Sequence, residues 1–262
     1  MAGSDGAILE AKGLTKVYGA KPWYGRDRRL VAVEGGSLSV GQGEAVGIVG
    51  ESGSGKSTLG RMLVGLLLAD GGEILLDGTA IDVGKRSSRK SLRASAQFVF
   101  QDAASAFNPR RTIAASVSAP LSGLSRAERA DKLAGLLDQV GLSAAHGERK
   151  PHEVSGGQLQ RAGIARALAA GPRVLVLDEP VSALDVSVQA QIIALLRDLR
   201  ATRDLAMVFV SHDLAVVEAL CDRVIVMRAG RIVEEGSARA VLSAPRDAYT
   251  RSLVAAARGE AA

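Results

Sequence analysis

Residues 50–58, GESGSGKST, constrain this chain more than any other part of its sequence. They fit the pattern G-x-x-x-x-G-K-[ST], in which glycines let the backbone curl so that its amide groups point inward at phosphates. The Lys56 amine can then reach the β and γ phosphates of a nucleotide, and the Ser57 hydroxyl can coordinate Mg²⁺. An apolar run precedes the loop and a helix beginning near Lys56 follows it, so the helix dipole adds to the attraction for an anion. The stretch predicts a strand, a phosphate-binding loop and a helix, in that order.

Nearly continuous apolar runs rich in β-branched residues recur along the chain. Such runs suit strands that are covered on both faces, as in the parallel sheet of an α/β fold. These predicted strands span residues 45–50, 96–101, 174–179, 206–211 and 224–227. Extended regions at 8–18 and 30–40 predict an antiparallel β edge, and residues 71–81 predict a further strand and turn. We therefore expect an α/β fold with a mostly parallel sheet core.

A mainly helical insert interrupts this pattern between about residues 103 and 170. Within it, Ser125 followed by Glu128 three residues later is the signature of a capping box. The apolar residues that then fall on one helical face are Leu133, Leu136, Leu137 and Val140. We expect a helical subdomain at 103–170, inserted into a nucleotide-binding core made of residues 1–102 and 171–262.

Bulk properties exclude several classes of protein. Hydrophobic residues make up 47% of the 262 residues, which is enough for a buried core. The formal charge of +5 is spread along the chain, so we interpret it as solvated surface and expect no nucleic-acid partner. The single cysteine, Cys221, can form no intrachain disulfide or zinc site. There is no secretory signal pattern, and the apolar stretch at 62–69 is too short to span a bilayer. We expect a soluble cytoplasmic protein.

The run VLVLDEP places two acidic residues at the end of a buried strand, where a parallel sheet has its ligand crevice. Asp178 is expected to hold Mg²⁺, and Glu179 is a candidate general base for an attacking water. A strand-end acid that caps the next helix is the alternative explanation of Asp178. The complete phosphate loop favours the metal role.

A second glycine-rich turn, VSGGQLQR at residues 154–161, lies about a hundred residues after the phosphate loop. Ser155 and the two glycines precede a helix, and amide groups at a helix N-terminus can bind an anion. The apolar side of this helix is predicted to carry Leu159, Ala162, Ala165 and either Leu168 or Ala169. Ordinary N-capping by Ser155 explains the same residues, and local physics does not choose between the two explanations.

Taken together, these motifs resemble the nucleotide-binding subunit of ATP-binding cassette (ABC) proteins. The motifs match that family in order and spacing over nearly the whole chain. They are the phosphate loop, SGGQ at 155–158, the strand ending in DE, SALD at 182–185 and VSHD at 210–213. The resemblance implies a P-loop NTPase cassette with a RecA-like core, an antiparallel β edge and a helical subdomain, which hydrolyses ATP with Mg²⁺. In the family, two subunits face head to tail. Each ATP is held by the phosphate loop of one subunit and the signature loop of the other, so hydrolysis loosens the dimer.

The resemblance also assigns roles to single residues. It implies catalytic roles for Glu179, for His212 at the γ-phosphate and for Gln101. It implies that Ser57, Gln101 and Asp178 are the Mg²⁺ ligands. The nucleotide-binding residues that it implies are Tyr18, Gly50, Ser52, Gly53, Gly55, Lys56, Ser57, Thr58, Ser155, Gly156, Gly157, Gln158 and Asp185.

Several of these positions have plainer alternatives or departures. Tyr18 matches the aromatic residue that stacks on adenine, but an edge-strand tyrosine is the alternative. Asp185 matches an aspartate that crosses the dimer interface. Val154 stands where the family usually has Leu, a change that we expect to be tolerated. His146 and His152 are interpreted as surface residues.

Two further stretches narrow the branch of the family. Residues 101–112, QDAASAFNPRRT, are similar to the Q-D-P-x-x-S-L-N-P-R segment of dipeptide, oligopeptide and nickel importer ATPases. Residues 244–256, APRDAYTRSLVAA, resemble the P-x-H-P-Y-T-R tail of the same group. The departures are Ala103, Phe107, Asp247 and Ala248. By the resemblance, Asn108, Pro109 and Arg110 lie near the membrane subunits, although a purely structural turn is the alternative.

We therefore predict an ATPase subunit at the cytoplasmic face of the cell membrane that powers import of a small solute, first of all di- or oligopeptides. The implied partners are two transmembrane permeases, a second and different ATPase or a copy of this one, and an extracytoplasmic binding protein. An importer of nickel or of a metal chelate is the alternative function that the sequence leaves open. An exporter usually carries or pairs with transmembrane segments and lacks a segment such as 101–112. Non-transport ABC ATPases insert long coiled coils or carry two cassettes, and neither feature is present.

Overall fold

The computed structural model of this chain describes residues 6–19 and 29–259. The sequence indicates no secretory signal in its first residues, and residues 1–5 of that stretch lie outside the described residues. The strands are β1 (Ala7–Tyr18), β2 (Leu30–Gly41), β3 (Ala45–Val49), β4 (Gly71–Leu76), β5 (Thr79–Ile81), β6 (Ala96–Val99), β7 (Val174–Asp178), β8 (Ala206–Val210), β9 (Arg223–Arg228) and β10 (Arg231–Ser237).

The helices alternate with these strands along much of the chain. They are α1 (Lys56–Leu63), α2 (Arg86–Ser95), α3 (Ile113–Val117), α4 (Arg126–Gln139), α5 (Ala144–Glu148), α6 (Gly156–Leu168), α7 (Val186–Arg203), α8 (Leu214–Leu220), α9 (Ala238–Ser243) and α10 (Ala248–Ala257). Short 3₁₀ helices lie at Ala119–Leu121 and Pro151–Glu153. The chain forms two compact units: Met1–Arg93 with Ala206–Ala262, and Ala94–Leu205.

The first unit contains the predicted antiparallel edge and most of the parallel strands. Strands β1, β2, β4 and β5 form one sheet in the order β2-β1-β4-β5, with all neighbours antiparallel. Strand β3 pairs in parallel with both β8 and β9, and every residue of β3 and β8 is buried. The continuous apolar runs therefore mark strands covered on both faces, as predicted.

The second unit combines the parallel pair β6 and β7 with helices α3 to α7. The predicted capping box of α4 is confirmed, since the Ser125 hydroxyl accepts from Glu128 N and the Glu128 carboxylate accepts from Ser125 N. Helix α6 was expected to bury one face. In the structure it is buried almost all round. Gly163 and Ile164, which do not belong to the predicted apolar face, are buried as well.

Several boundaries and elements differ from the sequence prediction. Strand β6 ends at Val99 and β7 at Asp178, so Gln101 and Glu179 lie beyond the strands and not within them. Helix α2 was not predicted, because its basic residues suggest only solvated surface. Leu92 is the side chain through which it reaches the core. Strand β10 was missed as well, because its sequence RIVEEGS is polar and only partly buried.

We predict that Ser125→Ala lowers the free energy of unfolding by about 1 kcal/mol, because it removes an N-cap. Hydrogen bonds from Ser125 lower the pKa of Glu128. The lowered pKa adds a separate contribution to stability, which is present above the ordinary pKa of a glutamate and is lost as the pH falls through the lowered value. Urea unfolding at neutral and acid pH measures both effects. The exposed Ser122→Ala is the control, and an equal loss in the two variants contradicts the prediction.

Candidate nucleotide site

The phosphate loop follows β3 and curls around the amine of Lys56. The Nζ atom donates to Gly50 O and to Glu51 O, both at 2.7 Å, and lies 3.4 Å from Ser54 Oγ. Lys56 is only 5% exposed. A buried ammonium is stable only when it is hydrogen-bonded, so these loop oxygens hold the amine at the centre of the curl.

The N-cap of α1 explains why the loop requires a glycine before the lysine. Gly55 has a φ of +103°, and a Cβ atom there would lie 2.2 Å from the carbonyl oxygen of Ala32. A side chain would therefore be strained and would collide with backbone. The loop can take this path only with glycine at this position.

A cavity of about 470 Å³ opens beside the loop. Its wall includes Tyr18 together with Gly53, Gly55 and residues 56–58, so the structure brings the predicted aromatic residue to the phosphate loop. Tyr18 is 41% exposed, and Lys16 Nζ lies 5.9 Å from its ring centroid. An exposed ring and a glycine-rich loop on the wall of one cavity suit a flat base and its phosphates.

His212 leaves the same sheet as the phosphate loop. It follows β8, which pairs in parallel with β3, and Ser211 N donates to Ile48 O at 3.1 Å. His212 is exposed, whereas the next residue, Asp213, caps α8 through its carboxylate. The histidine and the loop therefore lie at the carboxyl ends of adjacent parallel strands, where such sheets bind ligands.

In the second unit, Gln101 and Glu179 come into direct contact. Gln101 Nε2 donates to Glu179 Oε2 at 2.8 Å and lies 3.3 Å from Ser182 Oγ. Glu179 has a φ of +46°, a conformation that is uncommon for residues other than glycine. Asp178, the last residue of β7, is 2% exposed. The strand thus ends in a buried carboxylate followed by a carboxylate that an amide orients.

Ser155 and Gln158 satisfy each other at the start of α6. The Ser155 hydroxyl accepts from Gln158 N at 3.2 Å, and Gln158 Oε1 accepts from Ser155 N at 3.0 Å. The N-capping explanation of Ser155 is thus confirmed, and an anion role remains a separate prediction. Ser155 and Gly156 are exposed at this helix end.

The interpretation of His146 as a surface residue is wrong, whereas His152 is exposed as expected. His146 is half-buried, and its Nε2 atom lies 3.1 Å from Gln158 Nε2 in the turn of residues 155–158, which we call the signature turn. Its Nδ1 atom accepts from Ser143 N at 3.1 Å. No local pattern links residues 146 and 158, so only the packing of α5 beside the start of α6 reveals this contact.

The next motif, SALD, ends at the start of α7. Asp185 is the N-cap residue of this helix, but its side chain makes no capping hydrogen bond. The following residue, Val186, is 82% exposed. The start of α7 is therefore exposed, and the role of Asp185 at a dimer interface stays a prediction.

The segment after Gln101 is held by its own turns. Asp102 Oδ1 accepts from Ala104 N, and Asn108 Oδ1 accepts from Arg110 N, each at 2.9 Å. The Asn108 side chain therefore stabilises a turn, and residues 108–110 are exposed. A contact with the membrane subunits stays a separate prediction.

Sequence reasoning missed Arg166 of α6, which anchors the same segment. Its guanidinium lies 4.6 Å from the ring centroid of Phe107 and donates to Ala106 O, while burial lowers its pKa. Phe107, a departure from the importer pattern, supplies the aromatic face for this contact.

A family model described as ABC transporter matches residues 33–182, which is more than half of the chain. The chain belongs to the ABC transporter family. As an ABC ATPase it binds and hydrolyses ATP, and its α/β cassette fold is the one the sequence predicts. No helix in the described part of this ABC ATPase is both long and apolar enough to cross a membrane.

Two relatives illustrate how far the similarity extends. A Brucella abortus (strain 2308) protein, named as a peptide import ATP-binding protein, is 49% identical over 229 residues, 86% of this chain and 69% of its own length. The glutathione import ATP-binding protein GsiA of Escherichia coli (strain K12) is 49% identical over 232 residues. That match covers 87% of this chain and 37% of GsiA, so the chain spans well under half of GsiA.

Solved cassettes share the fold of this ABC ATPase. The dimeric ATP-binding cassette MJ0796, in a post-hydrolysis state bound to ADP and Pi, has a TM-score of 0.78 at 31% identity. That match covers 88% of this chain and 99% of MJ0796. CbiO1 of Clostridium perfringens, part of the ABC transporter complex cbiONQ, has a TM-score of 0.78 at 29% identity, with coverages of 91% and 92%.

The signature turn of this ABC ATPase packs tightly on α7, which generates a prediction. A Cβ atom on Gly157 would lie 2.4 Å from Val188 Cγ1. We expect Gly157→Ala to lower the free energy of unfolding by about 1–3 kcal/mol, as overpacking does. Because Val188→Ala removes the clashing methyl group, the double variant should be more stable than the sum of the single changes predicts.

Urea unfolding of the four proteins measures this coupling. Gly123→Ala is the matched control, since a Cβ atom at Gly123 meets nothing within 4 Å. Additive effects of the two changes would show that the contact between Gly157 and Val188 does not determine the cost.

Proposed function

We propose that this ABC ATPase powers the import of di- or oligopeptides across the cytoplasmic membrane, at whose inner face it lies. The observation that carries the proposal is the 49% identity, across most of the chain, to relatives named for peptide and glutathione import. Because glutathione is itself a small peptide, these names favour a peptide over a nickel or metal-chelate solute. The similarity of residues 101–112 and 244–256 to importer segments supports the same branch.

ATP binds, in this proposal, with its phosphates in the loop of residues 50–58 and its base on Tyr18. The loop is already curled, so its amide groups need little rearrangement before they bind phosphate. The Lys56 amine exchanges loop carbonyl oxygens for phosphate oxygens, which carry more negative charge. The exposed ring of Tyr18 on the wall of the same cavity supports the stacking role.

Glu179 serves as the general base of hydrolysis. Its carboxylate takes a proton from a water molecule while the water oxygen attacks the γ-phosphorus and ADP leaves. The hydrogen bond from Gln101 supports this role, since it fixes the direction of the carboxylate. His212 contacts the γ-phosphate, as its place after β8 allows.

Mg²⁺ is proposed to accompany the nucleotide, with Ser57, Gln101 and Asp178 as the residues that would hold it. A hydroxyl, an amide carbonyl and a carboxylate are the oxygen donors that Mg²⁺ prefers, so the donor set fits the ion. Gln101 turns its amide nitrogen to Glu179, which leaves the carbonyl oxygen as its ligating atom. The bound ion would neutralise charge on the phosphates.

Two cassettes complete each other's sites in this proposal. The amide groups of residues 155–158 at the start of α6 contact the γ-phosphate held by the opposite subunit, and Asp185 lies at the interface. The exposed position of Ser155 and Gly156 supports this arrangement, and so does the dimeric structure of the MJ0796 cassette. The opposite subunit is a different ATPase or a copy of this one. The predicted division into a core of residues 1–102 and 171–262 and a helical subdomain at 103–170 stays a prediction.

The remaining partners are two transmembrane permeases and an extracytoplasmic binding protein. Residues 108–110 are proposed to contact the permeases, because they are exposed. Their segment is held in place by its own hydrogen-bonded turns and by Arg166. A fixed and exposed loop can transmit force, whereas a loose one cannot.

We predict that Glu179→Gln retains ATP affinity and lowers kcat by at least about 100-fold, since a general base contributes that much or more. The amide can still accept a hydrogen bond but takes no proton. ATP should therefore accumulate in a stable dimer, visible by light scattering. Phosphate release measures the rate, with the exposed Glu148→Gln as control. Release at the wild-type rate would remove Glu179 from the role of base.

The importer proposal is tested by purifying the tagged chain from its native membranes in mild detergent. We expect two membrane proteins, an ATPase partner and a peptide-loaded binding protein in the same complex. Mass spectrometry identifies the proteins and the solute. A metal chelate in the binding protein would show that the transported solute is a metal chelate and not a peptide. Recovery with soluble proteins only would overturn the transport proposal.

A further inference from the structure

A tyrosine from the C-terminal helix reaches the phosphate loop. Tyr249, in the second position of α10, is 7% exposed, and its hydroxyl oxygen accepts a hydrogen bond of 2.9 Å from Glu51 N. Glu51 is the second residue of the loop and lies 198 positions earlier in the chain. The tail motif APRDAYTRSLVAA has no part in the catalytic roles described above, so this contact requires its own explanation.

The ring of Tyr249 is held firmly. Asp247 caps α10 by accepting from Tyr249 N at 2.8 Å, so this departure from the importer tail is a strong N-cap. The carboxylate of Glu234 in β10 accepts from Arg246 N at 2.8 Å and from Asp247 N at 3.1 Å. The guanidinium of Arg228 lies 5.0 Å from the ring centroid. The hydroxyl is therefore presented to the loop from a fixed frame.

Glu51 connects this frame to the amine at the centre of the loop. Its N–H donates to the Tyr249 hydroxyl, and its carbonyl oxygen accepts from Lys56 Nζ at 2.7 Å. Both polar groups of one backbone residue are thus fixed, one from outside the loop and one from inside. The same carbonyl oxygen also accepts from Ser54 N at 3.2 Å, so without the outer bond the Glu51 peptide group would be held from inside the loop alone. The carbonyl that orients Lys56 would then be less firmly fixed.

We propose that Tyr249 is a positioning residue of the nucleotide site, and that its hydroxyl keeps the phosphate loop curled before nucleotide arrives. The inference rests on the proposed phosphate-binding role of that loop. A loop ordered in advance loses less conformational entropy on binding, so the hydroxyl strengthens binding of the phosphates that ATP and ADP share. Such uniform binding changes KM and leaves kcat unchanged.

Tyr249→Phe tests this, because it removes the hydroxyl and keeps the ring against Arg228. We expect the Kd for ADP, measured by calorimetry, and the KM for ATP to rise roughly 2- to 12-fold, the loss of one hydrogen bond, with kcat unchanged. Ser252→Ala removes an exposed hydroxyl from the same helix and should change neither. An unchanged Kd in Tyr249→Phe, or a fall in kcat with KM unchanged, would overturn the proposal.

Hydrogen exchange reports on the contact directly, without nucleotide. In the nucleotide-free wild type the Glu51 amide should be protected, and in Tyr249→Phe it should exchange roughly 2- to 12-fold faster. Amides of α10 should exchange equally in both proteins, which shows that the helix has not simply come loose. A Glu51 amide that exchanges as fast in the wild type as in the variant contradicts the inference.

Lys56→Ala separates the two levels of the argument. If this variant binds ADP as tightly as the wild type, the phosphate-binding role of the loop is wrong and the role of Tyr249 is wrong with it. If Lys56→Ala loses affinity while Tyr249→Phe does not, the loop binds nucleotide and only the positioning role of Tyr249 is overturned.

Discussion

The enclosure of the Lys56 amine by loop oxygens is the constraint on which the first compact unit depends. A buried ammonium requires acceptors on several sides, and here the loop backbone supplies them. The backbone can do so only if it is supported from outside. Gly230 N, in the turn between β9 and β10, donates to Ser54 O at 3.0 Å, and Tyr249 accepts from Glu51 N at 2.9 Å. Strands and tail together therefore form the frame of the phosphate loop.

Helix α6 has the corresponding part in the second unit. Its first turn, in which Ser155 and Gln158 cap each other, lies beside His146, and near its other end Arg166 contacts Phe107 and Ala106. The helix is buried almost all round, so its two ends are parts of one packed body. The segment proposed to meet the permeases and the signature turn are consequently attached to the same helix.

Much of this arrangement could be predicted from residues that are close in sequence. The capping box of Ser125 and Glu128 depends on a spacing of three residues, and the buried strands depend on short apolar runs, so both are readable locally. Helix α2 was missed because it is mostly polar and buries a single side chain, Leu92. Strand β10 was missed because it is polar and only partly buried beside β9. His146, Arg166 and Tyr249 were missed as contacts because their partners are distant in sequence and follow no pattern.

The sequence by itself determined that this chain would form a curled glycine-rich loop after a strand and would place acids at the end of another strand. Those features depend on glycines, apolar runs and a few polar residues at short spacings, which act within one element and its neighbour. Only the tertiary structure decided what holds these parts in place. A hydroxyl on α10 meets an amide 198 residues away because the strands and the cap at Asp247 bring α10 to the loop. Such hydrogen bonds depend on packing across the whole unit, which no local pattern encodes.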